Sequence, residues 1–241
     1  MLVLKGTYPK RLLNKKLYLA AGIAAAFECK TTLRAPHITK AVENCTKIKG
    51  LYPNRIGTPY KELHSPLVYG LLAHSHVWKG GKAAPAQNVE QRLQEADALH
   101  VSHPRLQLDM LCVADLAAWI SSTMVFLGPR QVPDWSALEP ICGRDGSAGS
   151  SYNAYTRTHE QQVQHFTPIG VLVSHLTRKL AREDASLRDP ADYYRSVKIA
   201  GFGTGPMRMW PSSIYSEGIR PRVEAGLQSG EPWDDWNLCF E

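Results

Sequence analysis

The sequence predicts an α/β protein: a mixed sheet flanked by helices. Three observations carry this expectation. Apolar runs of strand length alternate along the chain with segments whose apolar residues recur at helical spacing. A strand–helix–strand connection near the start is expected to be right-handed and to bring its two strands side by side and parallel. With 241 residues, 44% of them hydrophobic, the chain can bury a sizeable core and is far from a disordered composition.

Taken in order, "MLVLKG" is a short apolar strand at residues 1–5, followed by a basic loop with Pro9. A second strand spans 22–32 and is expected to pair with the first. Ile23, Phe27, Thr31 and Thr32 support it, whereas the alanines at 24–26 weaken it, alanine being depleted in strands. Pro36 opens a helix over 37–49 that Gly50 ends. Its apolar stripe is Ile38, Ala41, Val42, Cys45 and Ile48, with Ile38, Val42, Cys45 and Ile48 set against the sheet and Lys40, Glu43 and Lys47 opposite. A third strand, 66–78, runs parallel to 22–32. Asn88 caps a helix reaching about Leu99. Residues 106–120 read as a strand continuing into a further apolar segment, and "TMVFL" as another short strand. Thr167-Pro168 starts a helix with the stripe Ile169, Leu172, Val173, Leu176 and Leu180, and Asp189-Pro190 starts a shorter one. The division that follows is a core at 1–127, a Gly/Pro/Ser-rich excursion at 128–158, a helical part of the same domain at 159–197 and an irregular tail at 198–241. No internal repeat is visible.

The formal charge of +6 suits a polyanionic partner without requiring one. Five scattered cysteines with no C-x-x-C pair read as reduced thiols, neither a disulfide framework nor a zinc knuckle. The basic residues Lys10–Lys16 followed by an apolar run at 17–27 have the outline of a leader, but the basic stretch starts ten residues in and Leu2–Leu4 precedes it. That run is too short to span a membrane. The expectation is a cytoplasmic protein with no membrane contact.

The stretch "AAAFECKTTL", residues 24–33, sets two charges into an apolar run. Charges are costly to bury unless paired or metal-bound. On a strand, Glu28 and Lys30 share one face, while Phe27 and Cys29 point to the other, where the helix over 37–49 would cover them. A carboxylate and an ammonium so placed suit phosphodiester hydrolysis: the acid holds a hard cation such as magnesium, and the lysine stabilises charge or orients water. The ordinary structural reading is an ion pair on a solvated strand end.

"AAFECKTTLRAPHITKAVENCTKIK" resembles the E-x-K strand and following helix of the PD-(D/E)XK nuclease superfamily, and within it a bacterial branch of unassigned function. The resemblance implies a restriction-endonuclease-like core lacking its first helix and strand. It implies Glu28 as metal-binding acid, Lys30 as catalytic lysine and the Cys29 main-chain carbonyl as a further metal ligand. It implies a nuclease-like protein acting on or binding DNA or RNA, magnesium-dependent if its site is complete, in a bacterial defence or restriction setting, with self-association as a homo-oligomer compatible. The sequence departs from the family where an aspartate is expected on the preceding strand: "MLVLKG" holds no acid, so a truncated or degenerate relative is expected. Asp109 is the first surrogate acid, and Lys40 and Lys47 are candidate nucleic-acid contacts, although a solvated helix face, with Lys49, is the simpler account. The alternatives are a catalytically degenerate nuclease fold that serves as a nucleic-acid or protein binding module, and an unrelated cytosolic α/β protein.

Other motifs carry less. His74 with His76, and His100 with His103, have spacings that a zinc site can use, but nine histidines produce such pairs by chance. Asp115 reads as a cap. "GFGTGP" at 201–206 looks like a phosphate loop, but Pro206 and the missing helix make it a turn. No G-x-S-x-G elbow is present.

Overall fold

In the computed structural model, the described residues are 1–79, 84–125, 146–156, 167–198, 203–227, 229–237 and 239–240. In chain order the elements are β1 (Leu2–Leu4), β2 (Ile23–Leu33), α1 (Ala35–Gly50), α2 (Pro59–Leu63), β3 (Val68–His76), α3 (Pro85–His100), β4 (Met110–Val113) and β5 (Ala117–Val125). They continue with β6 (Gly146–Thr156), α4 (Pro168–Glu183), α5 (Arg188–Ser196), β7 (Met207–Pro211), α6 (Arg220–Glu224) and β8 (Cys239–Phe240). Among the described residues the strands form one mixed sheet in the order β1 to β7, with β8 paired to β5.

The expected pairings are present. β1 lies antiparallel to β2, with Leu2 opposite Ala26, and β3 lies parallel to β2, with Glu28 opposite Leu71. β4 continues parallel to β3, and from there each strand turns back antiparallel on the last. Local sequence explains the helix starts. Thr167 accepts from the Gly170 N–H at 3.0 Å and caps α4, as its Thr-Pro start predicts. Pro36 sits in the first turn of α1. α3 begins at Pro85, three residues before Asn88, because proline occupies the first turn and leaves Asn88 inside the helix.

Side-chain alternation divides the core in two. Tyr69, Leu71, Leu111, Val113 and Trp119 face α1 and α3, whereas Phe27, Val68, Met110, Cys112 and Ile120 face α4. This corrects one expectation. Phe27 lies beneath α4, and the charged face of β2, with Glu28, lies beneath α1, because Asn44 of α1 supplies a polar partner there. A second correction concerns α1 itself. Ile48 is left 36% exposed and Lys49 is buried at 2%, because position 49 continues the buried 38, 42, 45 spacing of the helix and its ammonium finds a carboxylate inside.

Two segments read as irregular are structural. Residues 146–156 of the expected excursion form a long interior strand between β5 and β7, mostly of small residues, with Tyr152 sent to one face of the sheet and Tyr155 to the other. The expected tail supplies β7 and β8 and sends Trp210, Tyr215, Ile219, Val223 and Phe240 into the core. The rest of the excursion, residues 128–145 and 157–158, and the end of "TMVFL" lie outside the described residues. At Gly70 a Cβ would stand 2.5 Å from the Phe27 ring and 3.0 Å from the Met110 carbonyl oxygen, so β3 needs glycine to lie this close to the ring. Among the described residues, no helix is long and apolar enough to cross a membrane.

Candidate functional site

The Glu28–Lys30 pair sits on β2 where the strand feeds α1. Lys30 Nζ lies 3.5 Å from Glu28 Oε2, so the two side chains share a face. Glu28 Oε1 accepts from Asn44 Nδ2 at 2.8 Å and from the Tyr69 hydroxyl at 3.1 Å. The carboxylate is therefore held from three directions: its own strand, α1 and β3. Burial alone would raise its pKa, but the bonds from Asn44 and Tyr69 and the Lys30 charge outweigh burial and hold it below the ordinary value. In return, burial and the Glu28 charge push the Tyr69 hydroxyl up. Replacing Asn44 with Ala is expected to raise the Glu28 pKa, read from its carboxyl resonance in an NMR titration; an unchanged titration would mean that Asn44 does not hold the carboxylate.

The Cys29 carbonyl is placed by strand periodicity. Phe27 uses both main-chain groups toward β1, donating to the Met1 carbonyl and accepting from the Met1 amine, each at 2.8 Å. Two residues on, the Cys29 N–H and C=O point to the same side of β2, past the end of the β1 ladder.

Asp109 is placed elsewhere. Its Oδ2 accepts from the Tyr69 N–H at 2.7 Å and from Lys49 Nζ at 2.6 Å, and Lys179 Nζ lies 3.8 Å from its Oδ1. Glu28 and Asp109 thus occupy opposite ends of Tyr69, the hydroxyl end and the main-chain end. They do not converge. Lys49 comes from α1 and Lys179 from α4, so a lysine from each face of the sheet meets this one acid. Burial pushes the Lys49 ammonium toward neutrality, but Asp109 more than offsets it and its pKa is raised. Lys49 also donates to the Gln107 carbonyl at 2.6 Å, and Lys179 to the Ser121 carbonyl at 2.9 Å. The network runs on: Gln107 donates to Asp97, which also accepts from Tyr152 and Arg208. Beside it, burial pushes the Cys45 thiol up to about 12, an unreactive thiol. The sequence offered one signal for this cluster, a lysine at stripe positions of two amphipathic helices, Lys49 and Lys179.

The remaining candidates disperse. Lys40 pairs with Glu43 at 3.2 Å on the exposed side of α1, and Lys47 faces solvent in its last turn. His103 accepts from the Arg105 N–H through Nδ1, which leaves Nε2–H to donate to the Ile214 carbonyl at 3.0 Å. His76 is buried against Trp78, His74 is exposed, and His100 lies 3.7 Å from Glu43. Asp115 sits 3.6 Å from Lys79. Of "GFGTGP", Thr204 bridges to Ala154, and a Cβ at Gly205 would overlap the Tyr152 carbonyl; Gly201 and Phe202 lie outside the described residues.

Among the described residues, no three His, Cys, Asp or Glu side chains gather to hold a metal ion. Magnesium takes near-octahedral oxygen ligands. Glu28 already accepts two hydrogen bonds on one oxygen and faces Lys30 with the other, and the Cys29 carbonyl is the other donor at hand. As arranged, this set does not fit a magnesium ion.

Fold and site together define an α/β protein with an oriented carboxylate–lysine pair at a strand-to-helix junction. No family model and no curated protein matches the chain. Among solved structures it is similar to NucC of E. coli MS115-1 in its apo form, with 22% identity and a TM-score of 0.29 over 42% of this chain and 44% of that one. It is also similar to NucC of P. aeruginosa ATCC27853 in its cAAA-bound form, with 14% identity and a TM-score of 0.30 over 83% of this chain and 60% of that one. The chain therefore spans less than two thirds of the length of either.

Proposed function

We propose that this chain is a nuclease-like protein that binds nucleic acid along the β2–α1 junction. The observation that carries the reading is the carboxylate–lysine pair at 3.5 Å, oriented by Asn44 and Tyr69 where the strand enters the helix. Lys30 is the group that meets a phosphate oxygen, and Glu28 holds its ammonium in place. Lys40 and Lys47, on the outward face of α1, add phosphate contacts. The same Glu28, Lys30 and Cys29 carbonyl are the groups this chain would use in hydrolysis. The engagement of both Glu28 oxygens, Oε1 by Asn44 and Tyr69 and Oε2 by Lys30, favours the second reading, a binding module in which the chemistry is degenerate.

Two measurements test this. Affinity for DNA and RNA, followed over a salt series, should fall steeply, and Lys30→Ala, Lys40→Ala and Lys47→Ala should each lower the slope of log K against log salt by about 0.9 on duplex DNA. Absence of retention at low salt for either nucleic acid would sink the proposal. Cleavage of plasmid and RNA with magnesium or manganese should stay at background. Robust cleavage that Glu28→Ala abolishes would instead make the junction an active site, with a further acid supplied from elsewhere.

A further inference from the structure

A cavity of about 740 Å³ lies on the α4 side of the sheet edge, away from the Glu28 junction, between β1, the end of α2 and the C-terminal half of α4. That volume falls in the range of small-molecule sites, roughly 300–1,000 Å³. Much of its wall is apolar, with Val3, Val68, Leu180 and Phe240 among the lining residues.

The charges lining it are unevenly matched. Glu183 accepts from Arg55 at 2.7 Å and from the Tyr60 hydroxyl. Asp184 accepts from the Ser186 N–H at 3.0 Å and from its hydroxyl at 2.7 Å. Asp109 is held by Lys49 at 2.6 Å. Every acid in the wall therefore has its partner. Arg182 is different. Its guanidinium sits 5.2 Å from the Tyr60 ring, 5.3 Å from Phe240 and 5.5 Å from Trp233, and Nη1 donates to the Asp234 carbonyl at 3.2 Å. Its Nε is buried with no acceptor, and among the described residues no carboxylate comes within ion-pair distance of it, the charges of Asp234 and Asp235 acting only from farther off. Lys5, also in the lining, forms no ion pair with an acid among the described residues.

A guanidinium fixed by aromatic faces, with donors to spare, is built to take an oxyanion, a carboxylate or a phosphate.

We infer that this cavity is a binding site for a small amphipathic anion, an apolar body carrying one carboxylate or phosphate, with the head on Arg182 and the body against Val68, Leu180 and Phe240. The experiment is calorimetric titration of the full chain with decanoate, decyl phosphate and uncharged decanol. One or both anions should bind with 1:1 stoichiometry, at least tenfold tighter than decanol, and the tighter of the two identifies the head group. Arg182→Gln should lose at least tenfold for the anions and little for decanol. Ala24→Phe, which fills the cavity from β2 and leaves Arg182 in place, should abolish binding of all three while circular dichroism remains native. Equal affinity for decanol and both anions, no binding of any of them, or anion binding that survives Ala24→Phe would overturn the inference.

Discussion

Replacing Asp109 with Ala should cost the fold about 3–5 kcal/mol, the penalty typical of breaking a buried ion pair by removing one partner. The reason lies in what remains. Lys49 is 2% exposed and would keep only the Gln107 carbonyl as an acceptor among the described residues. The Tyr69 N–H would lose its acceptor as well. An uncompensated buried ammonium loses far more than the pair it came from gained. Denaturant unfolding of the variant against the parent gives the number, and a loss below about 1 kcal/mol would show that Lys49 is not a buried, paired charge. A double variant, Lys49→Met with Asp109→Leu, should recover part of the loss, because it removes the Lys49 charge, while Lys179 keeps its acceptors on Ser121 and the Tyr69 N–H stays without one.

Lowering the pH should destabilise the protein through His175. Both ring nitrogens of His175 are buried without hydrogen-bond partners, and its ring packs 5.0 Å from Tyr155. Burial, then the charges of Lys179 and Arg178, push its pKa down to about 3 from an ordinary 6.5. The sign follows from proton counts. Between those values the unfolded chain binds a proton at this residue and the folded chain does not, so acid favours unfolding. Stability should be fully present above pH 6.5 and fall by about 1.4 kcal/mol per unit below it, until the folded-state value is reached. His64 and His103, also held low chiefly by burial, act in the same direction. Unfolding free energies of the parent and of His175→Leu, measured at a series of pH values from 7 to 4, isolate the contribution. The variant's curve should be flatter by that slope, and its stability at pH 7 should change little, since no hydrogen bond is lost. Parallel curves would refute a buried neutral imidazole.

The legible part of this protein was local. Apolar spacing in residues 1–78 predicts β1, β2, α1 and β3 and their pairing, because a period of two or of 3.6 is written in the order of side chains alone. Thr167-Pro168 predicts the start of α4 for a similar reason: a cap and its first turn are neighbours in sequence. The shared face of Glu28 and Lys30 follows from strand alternation.

What could not be read there depends on contacts between distant residues. Small residues such as Gly146, Ala148 and Ser150 carry little strand preference, and they form β6 because β5 and β7 offer ladders on both sides. Trp210, Tyr215 and Phe240 lack any periodic setting, yet they fill the core beside α1 and α3. Which helix covers which face of β2 was decided by partners far along the chain: Asn44 and Tyr69 draw Glu28 under α1, and α4 takes Phe27. Asp109 was visible as an acid, but its role was not. Lys49, Tyr69 and Lys179 lie 40 or more residues away in either direction, and only folding brings their charges and main-chain N–H to one carboxylate, where burial makes each contact strong and each loss costly.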